Sequence, residues 1–167
     1  MTIGLISDTH SDHLEDDVIH HLKDCDEVWH AGDLGHPALV DYCLENYTFR
    51  GVYGNIDGRE IRRELPLDNV FEIDGLKVFI THIGGYPKRY YKRVREKLNG
   101  VRPDLYICGH SHICKVMRDT KLNLIHMNPG ACGHKGFHSL RTMLKFEINA
   151  GKIENLRVVE LGKRGKN

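Results

Sequence analysis

The apolar positions of this chain fall into short runs that end in polar, chemistry-bearing residues. Ile3, Leu5 and Ile6 form one such run, closed by Ser7 and Asp8, and its brevity predicts a buried strand that delivers Asp8 and His10 into a loop. The spacing then changes. Leu14, Val18, Ile19 and Leu22 recur at the interval of a helical face. Asp12 stands where a cap is expected, and Glu15, Asp16 and Asp17 lie at the positive end of that helix. Residues 27–31 predict a second strand ending at Gly32-Asp33. Pro37 opens a helix at its favoured first position, running to Asn46, and residues 48–53 form a third strand ending at Gly54-Asn55.

The second half is richer in strands. Residues 70–73 and 76–81 flank Asp74-Gly75, a strong hairpin signal, and His82 closes the second run. Residues 87–98 read as a basic helix ended by Asn99-Gly100. Residues 105–108 form a buried strand that feeds Gly109, His110, Ser111 and His112. Strands follow over 115–118, 123–127, 142–148 and 153–159, with Asn149-Ala150-Gly151 turning between the last two. No repeat or boundary interrupts the pattern, so residues 1–161 are expected to form one domain and residues 162–167 a basic, disordered tail.

Composition narrows the function classes. A chain of 167 residues is one domain's length, and a net charge of +1 gives no overall field toward nucleic acid or a membrane surface. No apolar run is long enough to span a bilayer, and the start lacks a signal-peptide pattern. Five scattered cysteines form neither a disulfide framework nor a paired-thiol site, which points to a reducing, cytoplasmic setting. The 12 histidines are the unusual count, and their positions decide what they mean.

Asp8, His10, Asp33, Asn55, His82, His110 and His112 each follow an apolar run, so several strands can aim them at one point. All are oxygen or imidazole donors, a set suited to manganese, iron, zinc, nickel or cobalt rather than to a structural thiolate site. Gly32, Gly54 and Gly109 each precede a candidate ligand, as expected where the backbone turns tightly. Taken singly, the aspartates and Asn55 read as turn residues. Taken together, they read as a two-metal hydrolase for phosphate esters.

The ordered motifs Asp8-Thr9-His10, Gly32-Asp33, Gly54-Asn55-Ile56-Asp57, His82 and Gly109-His110-Ser111-His112 resemble the calcineurin-like metallophosphoesterase superfamily, in particular its small bacterial and archaeal phosphodiesterase branch. The likeness runs from Gly4 to about Gly130 and includes the Asn128-Pro129-Gly130 turn. It implies an α/β (α+β) fold, a four-layer α-β-β-α sandwich with metals at the sheet edges. It also implies two divalent ions, with manganese foremost and zinc, iron, nickel or cobalt as alternatives. One ion would take Asp8, His10, Asp33 and His112, the other Asp33, Asn55, His82 and His110. Asp33 would bridge them, and Asp33, Asn55 and His110 are the catalytic candidates. The implied reaction is in-line attack of a metal-bridging hydroxide on a small phosphodiester, with no covalent enzyme intermediate.

One departure stands out. Many members of the superfamily carry a histidine after the asparagine to protonate the leaving group, and here that position is Ile56. His36, three residues past Asp33, is a candidate substitute, although such a residue is more often a plain loop histidine. Asp57 is expected to orient a metal-bound histidine. Arg59, Arg62 and Arg63 are candidates for contact with substrate phosphate. The basic residues 88–95 read as a helix with charges toward water and Tyr90, Tyr91, Val94 and Leu98 packed inward. His20, His21 and His30 are expected to be structural and Cys108 and Cys114 buried thiols, while His126, His134 and His138 stay open. Rival classes are a scaffold of the same fold, like the eukaryotic retromer subunit, and a nuclease, which the charge balance disfavours. Association into a homo-oligomer is compatible with a domain of this kind.

Overall fold

The structure, a computed structural model, describes residues 1–165; Lys166 and Asn167, the end of the expected tail, lie outside the described residues. Its elements in order are β1 (Thr2–Ile6), α1 (Asp16–Leu22), β2 (Glu27–His30), α2 (Pro37–Asn46), β3 (Phe49–Gly51), α3 (Arg59–Glu64), β4 (Asp68–Ile73) and β5 (Leu76–Thr81). A small hairpin of β6 (Gly85–Tyr86) and β7 (Arg89–Tyr90) leads to α4 (Lys92–Val101). Then come β8 (Leu105–Ile107), β9 (Cys114–Asp119), β10 (Leu124–Pro129), β11 (Leu140–Asn149) and β12 (Lys152–Lys163). No helix among the described residues is long and apolar enough to cross a membrane.

Two five-stranded sheets carry the fold, ordered β12-β11-β1-β2-β3 and β4-β5-β8-β10-β9. In the first sheet β1, β2 and β3 run parallel to one edge and β11 and β12 are antiparallel on the other side, whereas in the second β5, β8 and β10 form a parallel centre between antiparallel β4 and β9. The two-residue period of a strand explains the layering. In β1, Ile3 and Leu5 enter the core between the sheets, while Ile6 joins the core beneath the helices. In β5, Leu76, Val78 and Ile80 face the sheet-sheet core and Phe79 faces α4. In β8, Leu105 and Ile107 point one way and Tyr106 the other. Burial of both faces is why these strands read as unbroken apolar runs. The layers are α1, α2 and α3 on the first sheet, the two sheets face to face, and α4 on the second. The expected four-layer α-β-β-α sandwich is therefore observed.

Trp29 anchors the middle layer. It is fully buried, edge-on to Phe71 and Phe146, and its indole N–H donates to Glu27 at 2.8 Å. The Asp74-Gly75 turn has both residues at positive φ, 46° and 80°, as a two-residue hairpin turn requires.

Several boundaries differ from expectation. Asp12 does not cap α1: it binds the His13 ring at 2.6 Å, and Glu15 holds the cap position. Pro87 starts no helix. It leads into Lys88 at φ 75°, the geometry of a tight turn with proline at its second position, so α4 begins only at Lys92. Nor does Asn99-Gly100 end α4, which continues through Val101 and stops at Arg102 (φ 51°), where the following Pro103 disfavours further helical backbone. Tyr91 does not pack inward; it is 58% exposed, while Val94 and Leu98 are buried. Helix α3 had no clear apolar period to announce it. The expected disordered tail is in part a strand: β12 includes Gly162 and Lys163, and the Arg164 N–H donates to the Ser139 carbonyl.

Arg141 ties three elements together. It pairs twice with Asp17 of α1, at 2.8 and 3.0 Å, and donates to the Cys132 and Leu161 carbonyls. Its side chain is 4% exposed and that of Asp17 40%. Loss of the buried donor strands two carbonyls, whereas loss of the partly exposed acid leaves water to substitute. Arg141→Ala should therefore lower unfolding free energy by about 3 kcal/mol and Asp17→Asn by about 1 kcal/mol, read from urea midpoints. Equal costs would sink this account.

His126 gives a second test. Burial, with Lys115 nearby, pushes its pKa from 6.5 down to about 4. The unfolded chain therefore takes up the proton first, and the stability present at neutral pH is lost as pH falls from about 6.5 to about 4. Urea midpoints should fall across that window, and His126→Phe should flatten the fall. An unchanged slope in the variant would refute the assignment.

Candidate metal centre

Five of the six parallel strands, all but β10, carry candidate ligands after their C-terminal ends, on one edge of the sandwich. After β1 come Asp8 and His10, after β2 Asp33, after β3 Asn55, after β5 His82, and after β8 His110 and His112. The strands at the antiparallel margins deliver none of them. Five of these residues, Asp8, His10, Asp33, His110 and His112, hold left-handed backbone with φ between 51° and 67°. Such backbone costs on the order of 1 kcal/mol for a residue with a side chain, and here it turns each side chain back over its strand end.

The donors fall into two groups that meet at the aspartates. One is Asp8, His10 and His112, the other Asp33, His82 and His110. Asp8 Oδ1 lies 3.2 Å from His112 Nε2 and 3.8 Å from His10 Nε2. Asp33 Oδ2 lies 3.2 Å from His82 Nε2 and 3.7 Å from His10 Nε2, so one oxygen faces both groups. Asn55 Oδ1 lies 3.2 Å from His82 Nε2. All seven expected ligands are thus brought to one place.

Surrounding bonds fix which atoms face inward. Asp8 Oδ2 accepts from the Ser7 hydroxyl at 2.7 Å and the His110 N–H at 3.1 Å, and this leaves Oδ1 for the centre. Asp33 Oδ1 accepts from the Ile56 N–H at 3.0 Å, which leaves Oδ2. His82 Nδ1 donates to the Ala31 carbonyl at 2.7 Å, so Nε2 is the inward atom. His112 is set by a two-step relay. His138 Nε2 donates to the Gly133 carbonyl at 3.0 Å, so its Nδ1 accepts from His112 Nδ1 at 3.1 Å. That fixes the His112 tautomer with a lone pair on Nε2.

The centre holds more acceptors than protons. Asp8 Oδ1 and His10 Nε2 are both buried with no hydrogen-bond partner among the described residues, 3.8 Å apart. Buried polar atoms without partners are costly, and a divalent cation between them would satisfy both. The donor set therefore fits a metal. The electrostatics agree in direction. Burial lowers the His10 pKa despite Asp33 and Asp8, and burial with His82 nearby lowers that of His110. Burial opposes the charged form of His82, but its hydrogen bond to Asp33 and the Asp8 charge outweigh it and raise its pKa. The same bond, against the cost of burial, holds the Asp33 carboxyl below its ordinary range.

Other expectations need correction. His36 does not face the centre: its ring is exposed and accepts from the Ala38 N–H as the cap of α2. Asp57 orients no metal-bound histidine. Its buried carboxylate accepts from the Leu34, Gly35 and Gly54 N–H groups and so ties the Asp33 loop to the Asn55 loop. Gly54 is required there, since a Cβ would sit 2.0 Å from Asp33 Oδ1. Arg59 is exposed at the start of α3, with no hydrogen bond or ion pair to the centre among the described residues. Arg62 instead braces the loop, donating to the Asp57 and Asn55 carbonyls. His30, expected to be structural, accepts from the Gly32 N–H and contacts Thr9 at 2.7 Å, which supports both metal loops from below. Asn128 donates to the Gly109 carbonyl and Ser111 and so holds the His110 loop. Its turn motif was visible in the sequence, but this grip was not.

Comparison with known proteins places the arrangement. The calcineurin-like phosphoesterase superfamily domain matches residues 1–151. A probable metallophosphoesterase of Methanothermobacter thermautotrophicus is 30% identical over 135 residues, covering 78% of this chain and 77% of that protein. Among solved structures, a novel archaeal phosphodiesterase aligns with a TM-score of 0.72 at 24% identity, over 96% of this chain and 100% of the other. Wild-type Vps29 of Entamoeba histolytica, complexed with zinc, aligns with a TM-score of 0.71 at 18% identity, over 96% and 99%. At these identities the structural likenesses speak for the fold alone. With the domain match spanning most of its length and a curated relative at 30% identity, the chain belongs to the calcineurin-like phosphoesterase superfamily.

Proposed function

We propose that this protein is a dinuclear metal-dependent phosphodiesterase acting on a small diester. The observation that carries the reading is the single oxygen Asp33 Oδ2, set between His10 and His82, beside Asp8 Oδ1 and His10 Nε2, which have no hydrogen-bond partner among the described residues. Asp8, His10 and His112 would hold one ion, and Asn55, His82 and His110 the other, with Asp33 shared. When bound, divalent ions supply Lewis-acid polarisation of a phosphoryl oxygen and make water acidic enough to react at neutral pH. The chain's own residues do the rest. Asp8 and Asp33 would supply the negative charge that selects cations, and the His112 tautomer presents a lone pair inward. The amide of Asn55 can offer its NH2 to a phosphoryl oxygen while its carbonyl oxygen faces His82.

The likeness to Vps29 supports a second reading, an interaction scaffold. The complete ligand set favours an enzyme. Ile56 bears on both, because its side chain is 46% exposed beside the centre and can transfer no proton. With His36 committed to its helix, the leaving group would depart unassisted by these two positions or take its proton from water. Good leaving groups are then the expected substrates.

Two outcomes follow. Metal-stripped protein titrated with manganese should gain turnover of a chromogenic diester, and Asp33→Ala should fall by about 100-fold or more. Two bound metals with no ester hydrolysed would favour the scaffold. Ile56→His should raise turnover of diesters with poor leaving groups by about 10-fold or more, with little change for nitrophenolate esters. A uniform change across leaving groups would argue against a missing acid.

A further inference from the structure

Beside the metal centre, on the side of His110, lies a pocket of about 130 Å³. Its walls include Tyr86 of the small hairpin, Tyr91, Cys108, Lys115 and His126, and its mouth reaches His110. The volume is close to that of cavities known to take one benzene ring, roughly 150 Å³. Tyr86 is held in place by Lys115, whose ammonium lies 4.0 Å from its ring centroid. Tyr91, exposed where an inward position was expected, stands at the same opening.

His126 makes this more than a surface crevice. It is 1% exposed, its Nδ1 is buried with no hydrogen-bond partner among the described residues, and its ring lies 5.3 Å from that of Tyr106. A buried nitrogen left unpaired is costly, and His126 lines the pocket, so a ligand edge there would supply the partner with a small shift of the wall. Burial keeps the imidazole neutral near pH 7, so it can accept or donate. None of this is needed to hold a metal.

We infer that this pocket is the subsite for one ester group of the substrate, and that it takes a single flat ring with a hydrogen-bonding edge. The inference rests on the phosphodiesterase reading, since the phosphate would sit at the metal centre next to it. Tyr86 and Tyr91 offer faces or edges for stacking, and His126 reads the ring's rim.

The test uses phosphonates, which a phosphoesterase cannot cleave, with calorimetry on zinc-loaded protein. Methylphosphonate measures the metal centre alone, phenylphosphonate adds a ring, and the 5′-phosphonate of 5′-deoxythymidine adds a pyrimidine on a sugar. At least one ring compound should bind about 10-fold more tightly than methylphosphonate. Tyr86→Ala should erase that advantage while leaving methylphosphonate unchanged. Tyr86 is 36% exposed on a surface hairpin, so the variant keeps its core. A preference for the thymidine compound that falls in His126→Phe assigns a pyrimidine ester, and a preference for phenylphosphonate assigns a simple aryl ester. Equal affinity for all three, or a ring advantage that survives Tyr86→Ala, overturns the subsite. If methylphosphonate itself does not bind, the phosphodiesterase reading fails and the subsite with it.

Discussion

Two carboxylates and four imidazoles meet at one edge of this protein with too few protons to pair them. Asp8 and Asp33 would repel each other in a dry site, and each carries a desolvation cost as well. What holds them is a ring of neutral donors behind the charges. Ser7, the His110 N–H and the Ile56 N–H each take one carboxylate oxygen and leave the other facing inward. The backbone carbonyls of Ala31 and Gly133 do the same for the histidines, the second through His138. The result is a cluster of donors that could hold a cation, its inward atoms set by these bonds, which limits the reorganisation that binding would cost.

That preparation depends on strained loops, and the loops depend on the sheets. Five ligands sit in left-handed backbone, which no single strand end would hold by itself. Asp57 binds three backbone N–H groups across two loops, and Asn128 grips the His110 loop from the neighbouring strand. Beneath them the sheets bury both faces, with Trp29 wedged between Phe71 and Phe146. A rigid middle layer lets loops from both sheets meet within hydrogen-bonding distance.

On the proposed reading, chemistry and specificity would be separated in space. The candidate metal centre is built from strand ends and would treat most phosphate esters alike. The flanking walls, Tyr86 and Tyr91 among them, come from the hairpin and the start of α4, which belong to neither main sheet. Such peripheral segments can change without disturbing the core, so they are suited to choosing which ester group is accepted.

The sequence by itself determined the succession of the ten strands of the two main sheets, the α2 boundaries, the Asp74-Gly75 hairpin and the placing of seven candidate donors after apolar runs. Each is written locally, in apolar runs with two faces buried, in turn chemistry, or in residues placed directly after a run. Only the tertiary structure decided the roles that need long-range contact. Asp57 proved to be a loop brace and His36 a helix cap, and Arg141 emerged as a clamp between elements 124 residues apart. His138 and Asn128 act on loops far from them in the chain. The basic stretch divided into a turn, a hairpin and a helix because Pro87 and Pro103 set backbone angles that charge and periodicity do not reveal. Short-range patterns fix which residue types are presented, whereas a hydrogen bond across 19 or 124 positions exists only once the chain has folded back on itself.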